Sequence, residues 1–251
     1  MFFSKEKPSS KRILDVGWVI DPVPAGVVWD APSVLKYPMR KEASAKAVQS
    51  CPAVLQNEMR LLEVPCPIDA QISIKRDMNG RWMFNNDLGK DSPIAVEKLD
   101  DMLVLMPVDH WRHPDRPVIQ IHTPYRFVVD ETCVFTQLPP IRDYKGDRWP
   151  GLLIGGRFPL QDWPRRMMWA FEWYDTSKPL ILKRGEPWFY IRFDGFNPER
   201  PIRMVEAEYT DELRDYCRQV DAVTNYVSQT FSLFSKAKAR RPKQLLVRKK
   251  R

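Results

Sequence analysis

The chain has 251 residues, 43% of them apolar and 29% charged, the balance of a globular protein large enough to bury a substantial core. No stretch reaches the roughly 18 consecutive apolar residues of a membrane span, and the opening MFFSKEKPSSKR turns to charge where a secretory leader would stay apolar. The net charge of +8 is local. Residues 236 to 251 hold nine basic residues and no acid, and removing those nine from the 40 Lys and Arg leaves 31 against 32 Asp and Glu. The body is nearly neutral, which counts against a nucleic-acid groove within it.

Twenty-three prolines against ten glycines interrupt long helices and favour short strands joined by stiff loops. Nine Trp, twelve Phe and eight Tyr suit the half-buried surface of a pleated sheet. The four cysteines, Cys51, Cys66, Cys133 and Cys217, stand far apart with no C-x-x-C pair. Neither a metal cluster nor a disulfide framework is expected from them, and reduced thiols in a cytosolic setting follow.

Taken in order, residues 1 to 12 read as a mobile lead-in. Ile13 to Trp29 reads as two short strands around the Asp21 to Gly26 turn, with Trp18 and Ile20 sharing a face. The Ala-rich EASAKAVQ has a helical tendency, and Ser50 is placed to cap a short helix over 52–59 with Pro52 in its first turn. Leu61 to Val64 and Ala70 to Lys75 are expected strands, separated by Pro65-Cys66-Pro67. Asp77-Met78-Asn79-Gly80 ahead of RWMF predicts a hairpin over 70–84. Residues 85 to 98 read as a surface connection and Met102 to Met106 as a central strand.

Three strands are expected next, at Pro117 to His122, Tyr125 to Val129 and Cys133 to Leu138, with Asp130-Glu131 in the second turn. The loop PPIRDYKGDRWPG, residues 139 to 151, is long and lies at the end of several strands, where sites are built. Leu152 to Ile154 and Met167 to Trp173 follow. The stripe Trp169, Phe171, Trp173 reads as sheet core ahead of a ligand box. The clearest strand is GEPWFYIRFDG, Gly185 to Gly195: Phe189, Ile191 and Phe193 alternate with Trp188, Tyr190 and Arg192, and Gly185 and Pro187 supply the turn before it.

The chain then changes character. Thr210 is an N-cap residue, with Asp211 and Glu212 at the positive end of a helix. From Leu213 to Phe234 apolar residues recur at three- and four-residue steps, which predicts one amphipathic helix over 209–235. Its seam either packs on the sheet or meets a second copy through Leu213, Val220, Val227 and Phe231. The remaining 236–251, with Lys236, Lys238, Arg240, Arg241, Lys243, Arg248, Lys249, Lys250 and Arg251, reads as a disordered basic tail. Such a tail neutralises phosphates with an affinity that falls as salt rises, meets an acidic partner, or simply solubilises the chain. The β-rich domain between these parts spans 13–208.

The motifs GWVIDP, VVWDAP, SCPAVLQNEM with CPID close behind, GRFPLQDW and KRGEPWFYIRF stand in this order over roughly residues 17 to 196. In order and type they resemble a β-rich protein family of marine tailed phages, cyanophages included. The resemblance implies a phage origin, hence a host cytoplasm or a virion, and a compact sandwich of the jelly-roll or double-stranded β-helix kind. It brings no activity and no catalytic residues, and it leaves the helix and the tail uncovered.

One constellation points to chemistry. His110, His113 and His122 are the three histidines, and His113-Pro114-Asp115 has the H-x-D spacing of a facial triad that holds iron with two His and a carboxylate. His113, Asp115 and His122 would be the ligands of a cupin-type, non-haem iron oxygenase, although His122 follows too soon for such a fold. The plainer reading makes all three ordinary loop and strand residues. No G-x-S-x-G, no phosphate loop and no cysteine with a base is present. Arg165-Arg166 beside Trp163 and Trp169 suits either stacking on bases or a solvated turn. The expectation that results is a non-enzymatic binding or assembly protein, associating with itself or with a phage or host protein, its tail contacting nucleic acid or an acidic surface; the iron oxygenase is the alternative.

Overall fold

The structure, a computed structural model, describes residues 13–22, 27–35, 47–195, 197, 200–223 and 230–250. The expected lead-in over 1–12 lies outside them. The first half of the chain forms β1 (Leu14–Ile20), β2 (Ser33–Val34), α1 (Pro52–Glu58), β3 (Leu61–Pro65), β4 (Ala70–Arg76), β5 (Trp82–Asn86), α2 (Val96–Met102), β6 (Leu103–Leu105) and β7 (Val118–His122). There follow β8 (Tyr125–Val128), β9 (Cys133–Leu138), β10 (Gly151–Leu153), β11 (Gly156–Pro159), β12 (Met168–Trp173), β13 (Leu180–Leu182), β14 (Pro187–Gly195) and β15 (Ile202–Glu206). Two helices close the chain, α3 (Asp211–Val223) and α4 (Thr230–Ala239).

The protein is mainly β. Among the described residues the strands form four sheets, ordered β11-β9-β14-β3-β2, β10-β12-β7-β6, β15-β1-β8 and β13-β4-β5, which share one apolar core in the manner of a sandwich. β14 is the middle strand of the largest sheet, antiparallel to β3 on one side and β9 on the other. Phe189, Ile191 and Phe193 are fully buried, as their alternation predicts. Trp188 and Tyr190, on the other face, are buried too. The register with β3 shifts between Pro187 and Phe189, and Trp188 in that irregular step stacks on Trp169 of β12 at 5.4 Å. The Tyr190 hydroxyl donates to Asp143 at 2.6 Å, under the 139–151 loop.

The β4–β5 hairpin forms as expected, and Gly80 and Gly185 both take the positive φ that their turns need (76° and 78°). Other expectations are corrected. Residues 27 to 29 are not a strand; β2 comes later and is two residues long. Cys51, not Ser50, precedes α1, with no side-chain cap, because Ser50 closes a 3-10 turn over 48–50. The 85–98 connection ends in α2, whose Leu99 is buried. Strands β7 and β8, only two residues apart, belong to different sheets: β7 pairs with β6 and β12, and β8 with β1. One pairing departs from the antiparallel order of a jelly roll: β1 and β15 run parallel, Leu14 opposite Ile202 and Trp18 opposite Glu206.

The β15-β1-β8 sheet separates the core from a helical layer. Leu14 and Val16 of β1 and Tyr125 and Phe127 of β8 enter the main core. Val19 and Val128 face the other way, onto a second cluster made with Leu213, Tyr216, Cys217 and Val220 of α3. Gly17 lies in this contact, where a Cβ would stand 2.8 Å from Val128 Cγ2 and 2.9 Å from Ala207 Cβ. Thr210 Oγ1 caps α3 by accepting from Leu213 N–H at 3.2 Å.

The single helix over 209–235 is corrected to two, with residues 224–229, including Val227, outside the described residues. The seam is not offered to a second copy: Leu213 and Val220 are each 1% exposed against the chain's own sheet. The Phe231 side chain lies outside what is described. The loose tail is corrected as well. Lys236 and Lys238 lie in α4, and the segment after it is docked by Leu245 and Leu246, 1% and 9% exposed. Charge hid the apolar pair that drives this burial.

Candidate functional site

The segment from α4 to Lys250 is built onto the sheet by groups that the sequence scatters widely. Asp130, in the turn after β8, accepts at one carboxylate oxygen from the amides of Leu245 and Leu246, at 2.6 and 3.2 Å. The Arg241 guanidinium donates to the carbonyls of Gln161, Val129 and Asp130, at 2.6, 3.1 and 3.2 Å. The Tyr216 hydroxyl of α3 lies 2.9 Å from Asp162 O and 3.0 Å from Ala237 O, its one proton shared between them, which fixes α4 against α3. Further on, Ala207 and Arg248 form an antiparallel bridge, while Arg248 pairs with Asp15 and Lys249 with Glu206.

This docking sorts the basic residues. Arg241, Arg248 and Lys249 are held by carboxylates of the body. Lys236, Lys238, Arg240, Lys243 and Lys250 are exposed and, among the described residues, have no carboxylate within ion-pair distance. Four of these five fall within eight residues, on the last turns of α4 and just beyond it. The docked segment presents them as a cationic ridge, and docking in advance lowers the ordering cost of binding. Arg251 lies outside the described residues.

The histidines do not converge. His110 closes a 3-10 turn on the surface, 4.0 Å from Asp109. His113 accepts at Nδ1 from the Asp115 amide at 3.2 Å, closing its loop on itself. His122 is held on β7 opposite Met168 of β12; burial, then the nearby Arg166, depresses its pKa and favours neutral imidazole. Among the described residues no three His, Cys, Asp or Glu side chains gather where a metal ion could be held. The strand that carries His122 away from the 113–115 loop is the physical reason. Three thiols lack activation: burial pushes Cys66, Cys133 and Cys217 up to about 12.

The 139–151 loop spends its polar groups on structure. Lys145 and Arg148 donate to Glu186 at 2.8 and 2.7 Å, and Arg142 lies 3.4 Å from Glu58. Arg165 rests over the buried Trp163 ring at 5.0 Å, so this pair is a packed corner and not an open platform for bases. Trp169, Phe171 and Trp173 are core, fully buried.

Sequence reasoning missed a buried ionic cluster. Asp21, 2% exposed at the end of β1, accepts from Arg126 Nε at 2.9 and 2.8 Å, from Arg166 Nε at 2.9 Å and from the Tyr209 hydroxyl at 2.5 Å. Arg126 reaches on to Pro164 O and to Asp221 of α3. Burial alone would raise the Asp21 carboxyl; the bonds from Arg126, Tyr209 and Arg166 outweigh it and hold the group below the usual carboxylate range. The cluster is closed on itself and ties α3 to the sheet.

Two grooves flank β15. One, of about 960 Å³, is lined by Val34 of β2, the end of α1, the start of β3, the end of β14 and residues 200–204. The other, of about 610 Å³, lies between residues 203–206 and Arg248 to Lys250. No protein-family model and no curated protein matches the chain.

Proposed function

We propose that this chain is a non-enzymatic binding protein of a tailed phage, acting in the host cytoplasm or the virion, which holds nucleic acid through the cationic ridge at the end of α4. The observation that carries the reading is the docked set Lys236, Lys238, Arg240 and Lys243, exposed and without carboxylate partners among the described residues, on a segment anchored by Leu245 and Leu246. Phosphate oxygens are the counterions such a ridge takes up, and the near-neutral body confines the contact to it. The phage assignment rests on the motif resemblance, as does the jelly-roll reading of the sandwich. Assembly with another phage or host protein belongs to the same proposal but runs through surfaces other than the α3 seam. No helix among the described residues is long and apolar enough to cross a membrane.

The test is fluorescence anisotropy of a labelled DNA duplex over a series of salt concentrations. With four cations engaged, log affinity falls against log salt with a slope of roughly −3 to −4. The triple variant Lys236→Glu, Lys238→Glu, Lys243→Glu reduces that slope by about three, with each lost phosphate contact contributing about one. An unchanged slope in a variant with the parent circular dichroism spectrum would refute the reading.

A further inference from the structure

β15 is half covered. In its parallel ladder with β1, Leu14 N–H donates to Pro201 O and Ala207 N–H donates to Trp18 O. With Leu14 opposite Ile202 and Trp18 opposite Glu206, the odd-numbered residues of β15 spend their backbone groups on β1. The amides and carbonyls of Ile202, Met204 and Glu206 therefore point outward, to the far edge. The chain fills the C-terminal part of that edge itself: Lys249 N–H donates to Glu206 O and Glu208 N–H to Val247 O. Ile202 and Met204 meet no backbone partner among the described residues. Unpaired edges of this kind template a further strand.

The two grooves run along this open part and share Arg203 and Met204. Leu61, Leu62, Ile202 and Met204 give the larger one an apolar floor, and Val34 and Met59 beside it are 65% and 71% exposed. Its charged lining is Arg60, Arg192, Arg200 and Arg203 against Asp194 alone. The smaller groove adds Arg248, Lys249 and Lys250 against Glu206. Asp15 and Glu131 pair with Arg203 and Arg200 from outside the lining. Among the described residues seven cations thus meet four carboxylates, so the lining carries an excess of positive charge.

We infer that the open edge of β15 at Ile202 and Met204 takes an extended, acidic segment of a partner protein as an added strand, with alternate apolar side chains on the groove floor and carboxylates toward the arginine rim. Main-chain bonds supply affinity in this mode and the alternate side chains supply selectivity. The docked 247–249 segment already makes backbone bonds to the same edge at Glu206 and Glu208. Arg60, half-buried and with no carboxylate partner among the described residues, is the cation best placed to select for acid.

The experiment uses the full chain and a short fluorescein-labelled peptide of alternating Glu and Val. Saturable binding is expected, weakened about tenfold when alternate peptide amides are N-methylated, the order of one or two lost backbone hydrogen bonds. Met204→Pro removes a donor that β1 does not use, and weakens binding by about the same factor. Arg60→Glu weakens it further, and a Lys/Val peptide does not bind. The triple substitution in α4 leaves peptide binding unchanged, which separates this surface from the nucleic-acid ridge. Equal binding of the N-methylated peptide overturns the inference, as does displacement by a thymidine oligonucleotide or no binding of the parent peptide. A dimer in light scattering that Met204→Pro returns to one chain would assign the edge to a second copy and overturn it equally. If Met204→Pro does not fold, the N-methylated peptide against the native protein decides.

Discussion

At Asp21, four hydrogen bonds converge on one carboxylate with almost no access to solvent. A buried charge is tolerated because the donors are fixed in place: Arg126 by Asp221, Arg166 by its turn, Tyr209 by the start of α3. The folded-state pKa is depressed, so the group contributes stability above its unfolded value, and that contribution is lost as pH falls through the folded pKa. Asp21→Asn keeps the shape but removes the charge that Arg126 and Arg166 require; it should cost about 3–5 kcal/mol at neutral pH. It should also flatten the loss of stability below about pH 4, both read from urea denaturation across a pH series. An equal acid slope in parent and variant would place the acid-sensitive group elsewhere. None of this is visible locally. Arg126 stands between Tyr125 and Phe127 like any solvent-facing strand residue, and its partners are 105 and 95 positions away.

Strand and helix show where local pattern suffices. β14 was legible because its alternation, its turn glycine and its flanking proline agree, and the observed core at Phe189, Ile191 and Phe193 follows from them. β15 was not, since Ile202-Arg203-Met204-Val205-Glu206 is short and its partner is the first strand of the chain. The terminal segment misled for a different reason. Its cations outnumber the Leu245-Leu246-Val247 run, so composition reads as tail, whereas two buried leucines and one aspartate decide the outcome. Leu245→Ala should weaken the docking of this segment by about 2–5 kcal/mol, a local opening that leaves the sandwich folded. Hydrogen exchange reports it residue by residue: the Leu245 and Leu246 amides lose protection while the β14 amides keep theirs. Fast exchange at both leucines in the parent protein would mean that the segment is not held. The ridge was half legible: its residues were readable from charge, its anchoring and the sorting of paired from unpaired cations were not.

For the whole molecule, the sheet joining β8, β1 and β15 is what makes the β body and the C-terminal layer one unit. Val16 and Val19 of a single strand serve the two clusters, and Gly17 between them admits no side chain without displacing Val128 or Ala207. Removing residues 200–251 should therefore leave β1 with a bare edge and the α3 side of the sheet exposed. Size-exclusion chromatography of that truncation should show aggregate in place of a single folded species; a monomer with the parent near-ultraviolet spectrum would show that the sandwich stands alone. The parallel pairing of β1 with β15 has a consequence for biosynthesis. β1 leaves the ribosome long before β15, which must lie beside it, and the residues that clasp both come later still. A nascent chain therefore carries an incomplete sheet until the 248–249 segment has been made, so production of this protein should respond to chaperone supply more than to changes in its loops.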